Sequence, residues 1–312
     1  VKSIAVHPSV TPDEAAQWPL PGSGCSRERW HKLADAARVD LVGARMLEAH
    51  ADAVAILREL SGPRPRFGEL WGVWAADPPH AVVVARKTSE GVVLDGRKLW
   101  CSGASICTHA LVTARSGDES ALFAVDLSTA GIKPVPDSWP AVGMARSDSG
   151  AVDFTAVPAE PVGAASDYLT RPGFWHGAIG VAACWYGGAQ AVADTLRATT
   201  SDDPHRLAHL GGVDAALYAA GSVLDAAALD LDRRSLDRSA GEIRARRVRA
   251  VVESSVSEVL DRVGRALGAA PLCNDARHAQ LVADLTVYVR QSHAERDLAD
   301  LARALRTEVA DR

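Results

Sequence analysis

The feature that most constrains this chain is a hydrophobic period that changes twice along its 312 residues. From Trp30 to Leu60 apolar residues return at helical spacing (Leu33, Ala37, Val39, Leu41, Met46, Leu47, Ala51, Val54, Leu57) with almost no breaker, which predicts a pair of helices. Ser26 stands where the first of them needs an N-cap, and the Pro- and Gly-rich stretch from Val1 to Ser26 is expected to wrap a surface. Between about 70 and 162 the pattern shortens to runs such as Ala81-Val-Val-Val-Ala85, Ala110-Leu-Val-Thr-Ala114 and Ala121-Leu-Phe-Ala-Val125, bounded by Gly, Pro, Asp or Ser. These predict strands of a compact antiparallel barrel or sandwich. After Asp167 long helical patterns return: Phe174 to Ala198, Arg206 to Leu231, Ile243 to Ala269 and Ala276 to Leu305, with breaks at Asp202-Asp-Pro204, Ser235 to Gly241 and Gly268 to Pro271. Four such helices in a row predict an antiparallel bundle. The expected organisation is a short helical domain at 1–66, a β-domain at 67–165 and a helical bundle at 166–312.

Composition enters as a set of exclusions. With 47% hydrophobic and 23% charged residues the chain suits a globular protein with two or three cores. A net charge of −5 and a pI near 6.1 offer no electrostatic footprint for nucleic acid or an anionic membrane. Cysteines at 25, 101, 107, 184 and 273 have neither a disulfide framework nor metal-ligand spacing, so no metal is expected and a reducing cytoplasm suits the chain. No apolar run approaches the ~18–20 residues of a membrane span, and the N-terminus lacks the basic-then-apolar order of a signal peptide, so a cytoplasmic location is expected.

The chemistry centres on Gly91-Val-Val-Leu-Asp-Gly-Arg-Lys-Leu-Trp-Cys-Ser-Gly103. Asp95-Gly96 is the dipeptide of a two-residue hairpin turn, so the chain is expected to double back there into Arg97-Lys-Leu-Trp-Cys. Two residues apart on a strand, Trp100 and Ser102 are expected to share a face, where an indole and a hydroxyl suit a flat ring system.

This stretch resembles the G-x-K-x-W-(I/V)-(T/S) segment of acyl-CoA dehydrogenases. The likeness extends to Leu122-Phe-Ala-Val-Asp-Leu-Ser, Gly131-Ile and Val142 to Phe154, closing at Val157-Pro158, and in outline covers Arg29 to Leu298. The resemblance implies a mainly α fold with a central β-domain: N-terminal helices, a middle antiparallel β-barrel and a C-terminal four-helix bundle. It implies FAD as cofactor, with Trp100 and Ser102 at the isoalloxazine and the backbone of Trp74, Ala75 and Ala76 at its polar edge. The implied reaction takes an α-proton from an acyl thioester with a carboxylate while the β-hydrogen leaves as hydride to the flavin.

Three places depart from the family pattern. Leu70 to Pro79 keeps only Asp77-Pro78 of L-T-E-P-G-x-G-S-D, losing the Gly-Ser turn that meets phosphate and CoA. Thr199-Thr-Ser-Asp-Asp-Pro204 puts two aspartates where the family has the Arg that reaches the FAD pyrophosphate, with Gly211 near the place of the Gln that supports adenine; Arg206 or His205 are the substitutes at hand. Asn274 to Thr286 resembles R-D-A-x-x-x-x-I-Y-E-G-T, with Ala283 at the catalytic Glu; Thr286, at the end of the segment, is counted with the flavin contacts. The candidate bases are Asp284, one position on; Glu253, on the third long helix; and His293, grouped with Arg290 and Asp297 at helical spacing. Trp175-His176 begins the helix that lines the acyl cavity in the family.

The functional expectation is an FAD-dependent oxidoreductase of the acyl-CoA dehydrogenase type acting on a small molecule such as an acyl-CoA. The alternatives are a catalytically degenerate subunit that pairs with a homologue, or a flavin monooxygenase of the same fold, which uses a His near the C-terminus. A homodimer or homotetramer is expected, with a hetero-oligomer in the second case, because Val248, Val251, Val252, Val256, Val259, Leu260, Val263 and Leu267 make an apolar face too wide for one seam.

Overall fold

Seven strands form the β region: β1 (Trp71–Trp74), β2 (Val83–Thr88), β3 (Gly91–Cys101), β4 (His109–Ser116), β5 (Glu119–Asp126), β6 (Ile132–Pro134) and β7 (Gly150–Pro161). The computed structural model describes residues 6–233 and 238–310. The order β4-β2-β3-β7-β5 closes because β5 also pairs with β4, which leaves no free edge around the ring and makes a barrel. β1 adds to β4 in parallel and β6 adds to β7. Alternate residues point inward, so Trp74, Val83, Leu94, Val112, Phe123, Val125, Val152, Phe154 and Val157 fill the barrel.

The hairpin is not where Asp95-Gly96 signals it. β3 runs unbroken from Gly91 to Cys101, and the turn is Ser89-Glu90, between the paired residues Thr88 and Gly91. Asp95-Gly96 is instead an irregularity inside the strand, where pairing with β7 slips between Leu94 and Gly96. Asp95 accepts a bond from the amide of Ala156 at 2.9 Å. Gly96 sits at φ +123, and a Cβ there would lie 2.2 Å from the carbonyl oxygen of Val82. The dipeptide's conformational freedom is spent on a bulge and a close backbone approach.

The helices are α1 (Pro12–Ala15), α2 (Ser26–Val39), α3 (Leu41–Glu59), α4 (Asp167–Thr170), α5 (Phe174–Arg197), α6 (Pro204–Arg233), α7 (Arg238–Leu267), α8 (Ala270–Asn274), α9 (Ala276–Tyr288) and α10 (Glu295–Ala310). The expected helix from Ala276 to Leu305 is in fact two: a 3-10 turn at Val289–Gln291 and a left-handed Ala294 at φ +45 separate α9 from α10. Part of the expected break from Ser235 to Gly241 lies outside the described residues, and Arg238 to Gly241 is already helical. Ser26 is the first helical residue rather than the cap; its hydroxyl donates to Asp232 at 2.7 Å. α6 is, by length and composition alone, apolar enough to cross a membrane, with a mean hydropathy of 1.3 over its best window, against the expectation that no apolar run approaches that length. It packs along α2 and α7.

Compactness divides the chain in two, and the division does not follow the three sequence segments. One unit holds the residues up to Trp18, Arg45–Ala141 and Ala145–Phe174; the other holds Pro19–Ala44, Val142–Met144 and the chain from Trp175. In the helical unit α5 meets α2 so closely that a Cβ on Gly187 would stand 2.0 Å from the carbonyl oxygen of Ala34. Val248, Val252, Val256, Val259 and Val263 of α7 are buried there, so most of the face that suggested an oligomer is covered within the chain itself.

In the barrel unit, His50 of α3 is buried and its Nδ1 accepts from the amide of Trp71 at 3.1 Å. Burial lowers its pKa from 6.5 to about 4. The unfolded chain therefore binds the proton first, so this stability is complete above pH 6.5 and is lost as pH falls through about 4. The loss is expected to be about 3 kcal/mol. Urea unfolding of wild type and His50→Gln between pH 7.5 and 4 checks this: the difference between them should shrink on acidification, and a constant difference would refute it.

Candidate functional site

β3 does not run straight to its end. Its pairing with β7 slips between Lys98 and Cys101, so Leu99 and Trp100 bulge and Trp100 takes φ +56, a left-handed conformation rare for a bulky residue. The bulge interrupts the alternation expected of Trp100 and Ser102: Trp100 is 55% exposed while Ser102 is only 6% exposed. An indole is thus held out from the barrel beside a nearly buried hydroxyl.

The turn after Trp100 is fastened from below. Trp74, at the end of β1, is buried edge-on to Phe154 and donates its Nε1–H to the carbonyl of Ser102 at 2.9 Å. Gly103 donates to the carbonyl of Ser147 at 2.8 Å and Ala104 to that of Asp148 at 3.1 Å. The amide and hydroxyl of Ser105 both donate to Asp148 Oδ2, at 2.7 and 2.5 Å. Gly103 has φ +73, and a Cβ there would press on Met46 Cε at 2.4 Å and Cys107 Sγ at 2.6 Å. Three hydroxyls form a row behind this turn: Ser102 Oγ to Ser149 Oγ at 2.8 Å, and Ser149 Oγ to Ser147 Oγ at 2.8 Å.

Beside the turn Lys98 is fully buried in the barrel. Its Nζ donates to Asp77 Oδ1, to the carbonyl of Thr113 at 2.8 Å and to Thr113 Oγ1 at 2.7 Å. Thr113 Oγ1 in turn donates to Asp77 Oδ2 at 2.9 Å. Burial pulls the lysine's pKa down and the bond to Asp77 opposes it, the balance expected of a charge that stays buried only when paired. This cluster anchors Asp77, so the half-buried Ala75 and Ala76 are held between it and Trp74.

The remaining candidates lie in the helical unit. Asp284 of α9 is buried and accepts from the amide of Met144 at 2.5 Å and from Gln280 Nε2 at 2.8 Å. Thr286 is exposed and donates back to the carbonyl of Val282 at 2.7 Å. Glu253 of α7 accepts from Arg290 Nη2 at 2.7 Å and Ser257 Oγ at 3.3 Å. His293 lies in the break before α10, its side chain 57% exposed and 3.4 Å from Asp297. Arg290 therefore belongs with Glu253 and His293 with Asp297, and the single helical face expected for the three residues does not form. Asp203 accepts from the amide of Arg206 at 2.8 Å, which caps α6 and holds the carboxyl below its ordinary pKa.

Sequence reasoning missed the Lys98, Asp77 and Thr113 cluster and the serine row. A lysine inside a strand pattern signals the first, and the Ser147-Asp-Ser149 tripeptide the second.

Residues 75–157 match the family model described as acyl-CoA dehydrogenase, middle domain. Over 77 residues the chain is 39% identical to dibenzothiophene monooxygenase of Rhodococcus erythropolis, a stretch that makes up 23% of this chain and 18% of that relative. Among solved structures, dibenzothiophene monooxygenase (TdsC) from Paenibacillus sp. A11-2 superposes with a TM-score of 0.77 at 19% identity, covering 95% of this chain and 89% of that one. Methanesulfinate monooxygenase MsuC from Pseudomonas fluorescens gives 0.73 at 18% identity, covering 93% and 87%. KijD3, in complex with FMN and a dTDP-linked sugar, gives 0.74 at 21% identity, covering 89% and 78%. The chain thus has the acyl-CoA dehydrogenase fold, and its residues 75–157 match that family's middle-domain model.

Proposed function

We propose that this chain is a flavin-dependent monooxygenase that uses FMN and acts on a small molecule. The observation that carries the reading is the state of Asp284. Its position neighbours that of the dehydrogenase base, yet its carboxylate is committed to Met144 and Gln280, and Ala283 at the base position offers no acid-base group. An oxygenation needs no carboxylate to remove an α-proton. The dibenzothiophene and methanesulfinate monooxygenases among the similar proteins support the same reading over the acyl-CoA dehydrogenase one.

The barrel residues fit the ring end of a flavin. Trp100 offers an exposed aromatic face, and Ser102 Oγ has one hydrogen-bond partner among the described residues where a hydroxyl has capacity for more. FMN suits the chain better than FAD because the family's adenosine-side elements are gone: Asp203 is engaged as a helix cap and Gly211 stands near the place of the adenine-side Gln. A reduced flavin held here would supply the electrons with which dioxygen gives one oxygen atom to the substrate and the other to water. The chain's own part is to stack Trp100 on the ring, present the Ser102 hydroxyl to its polar edge and hold both still through Trp74, Lys98 and Asp77.

The test compares two chemistries in one preparation. Chemically reduced FMN, air enriched in 18O2, and indole or dibenzothiophene as probe should yield a product carrying one 18O by mass spectrometry. Butyryl-CoA with a dye acceptor should give no reduction. Dye reduction without labelled product would return the chain to the dehydrogenases. A protein that binds neither FMN nor FAD would instead be the fold-keeping subunit.

A further inference from the structure

The helical unit holds a cavity of about 170 Å³ that the flavin reading leaves without a role. Two helix faces make it. Arg27, Trp30 and His31 stand three and four residues apart on α2, Gly221 and Asp225 four apart on α6, and Tyr186 of α5 completes the lining. Arg27 and His31 have exposed side chains and mark the mouth, while Trp30, only 2% exposed, lies deep. The space depends on Gly221. Glycine inside a helix is destabilising relative to alanine, yet a Cβ here would stand 2.9 Å from the hydroxyl oxygen of Tyr186, so the missing side chain makes room for the phenol.

Charge and hydrogen-bonding capacity around the cavity narrow what it can take. At the mouth Asp225 is already engaged: Oδ1 accepts from Arg27 Nε at 2.9 Å and lies 2.8 Å from His31 Nε2, and Oδ2 accepts from Arg27 Nη2 at 2.7 Å. The carboxylate and the guanidinium cancel each other's charge. Tyr186 Oη accepts from Gln190 Nε2 at 3.1 Å, and its own proton meets no acceptor among the described residues. Burial raises the pKa of that phenol, so the proton stays on it. The indole N–H of Trp30 is buried and also lacks an acceptor among the described residues. Donors left in this state are a defect that a molecule bringing its own acceptor removes. The rest of the wall is carbon, from Ala34, Leu224 and the two aromatic rings. A dry cavity of about 150 Å³ with apolar walls is enough to hold benzene, so this one has room for one substituted ring. A charge on the ligand would lose its water with no unpaired opposite charge to meet it. We propose that this cavity binds a neutral one-ring aromatic molecule that carries an oxygen acceptor, the ring lying against Trp30 and Leu224 and the oxygen taking the Tyr186 proton. The site stands independently of the flavin reading.

Isothermal titration of the whole chain with three probes of similar size tests this: acetophenone, ethylbenzene, which lacks the oxygen, and benzoate, which is charged. Acetophenone is expected to bind about five-fold more tightly than ethylbenzene, the worth of one neutral hydrogen bond, and more tightly than benzoate. Tyr186→Phe should weaken acetophenone about five-fold and leave ethylbenzene unchanged, because it removes the proton and keeps the ring. Gly221→Leu, which fills the space, should abolish binding of both. Trp100→Ala should alter neither, which separates this cavity from the exposed indole of the barrel unit. Circular dichroism shows whether each variant is folded, and Tyr186→Phe decides alone if Gly221→Leu is not. No acetophenone binding by the wild type, equal binding by folded Tyr186→Phe, or benzoate binding more tightly than acetophenone each overturns the proposal. None of these results bears on whether FMN binds, which is measured separately.

Discussion

Asp284→Ala is expected to lower unfolding stability by about 3 kcal/mol, because it removes a buried charged acceptor from two hydrogen bonds. Asp284 is 4% exposed, and the two groups it serves hold the segment 142–144 against α9. Gln280 Nε2 also donates to the carbonyl of Val142 at 3.2 Å, and Met144 sits at φ +58, a conformation that needs fastening in a residue with a Cβ. Between them Gly143 lies so near α9 that a Cβ there would be 2.1 Å from the carbonyl oxygen of Ala283. Asp284→Asn keeps an oxygen for the Met144 amide and should cost about half as much. Urea unfolding of the two variants, together with turnover, separates a clip from a base. A clip predicts the order Ala worse than Asn in stability, with oxygenation persisting in the Asn variant. A base predicts that both variants lose at least ~10^3 of turnover at nearly unchanged stability, and that result would restore the dehydrogenase reading.

How far the sequence could be read depended on whether a signal was periodic or particular. Helical and strand periods are averaged over many residues, so the order of helices, barrel and helices was legible from Trp30 onward, as was the end of α5 before Asp202. Single-residue events were not. The break between α9 and α10 falls on Val289 to Ala294, which contains neither Gly nor Pro, and it depends on a left-handed alanine that no propensity announces. Asp95-Gly96 had the right residues for positive φ but the wrong context, because tertiary pairing with β7 extended the strand through it. The capping box at Thr11 and Glu14 was readable and passed over, since the Pro and Gly around it suggested only coil. At the site, Trp100 and Ser102 stood out through a motif, whereas Lys98 needs Asp77 and Thr113 to make sense. Those partners are 21 and 15 residues away in sequence. A buried charge becomes readable only when the strand that brings its partner is known.

Trp100→Ala is expected to weaken FMN binding about ten-fold or more while leaving the fold as it was, since one stacked aromatic contributes ~1–3 kcal/mol. The two halves of this expectation have separate causes. Affinity falls because, of the two residues in the bulge of β3, the indole is the one turned out to solvent, and stacking there is lost with it. Stability is spared because an indole 55% exposed contributes little to the core, and alanine at φ +56 is no more strained than tryptophan. Trp100→Phe should recover most of the affinity, as a smaller face on the same bulge. Flavin fluorescence titration gives the affinities, and a thermal midpoint within about 2 °C of wild type shows that the fold was spared. The same titration tells FMN from FAD. Asp203→Asn, which alters the capping group of α6 where the family would meet the pyrophosphate, should leave FMN affinity unchanged, and under the FAD reading it should tighten binding by removing a negative charge. Equal FMN affinity in wild type and Trp100→Ala would show that the exposed indole serves something other than a flavin, and the likeness of the middle domain to its family would then be one of fold alone.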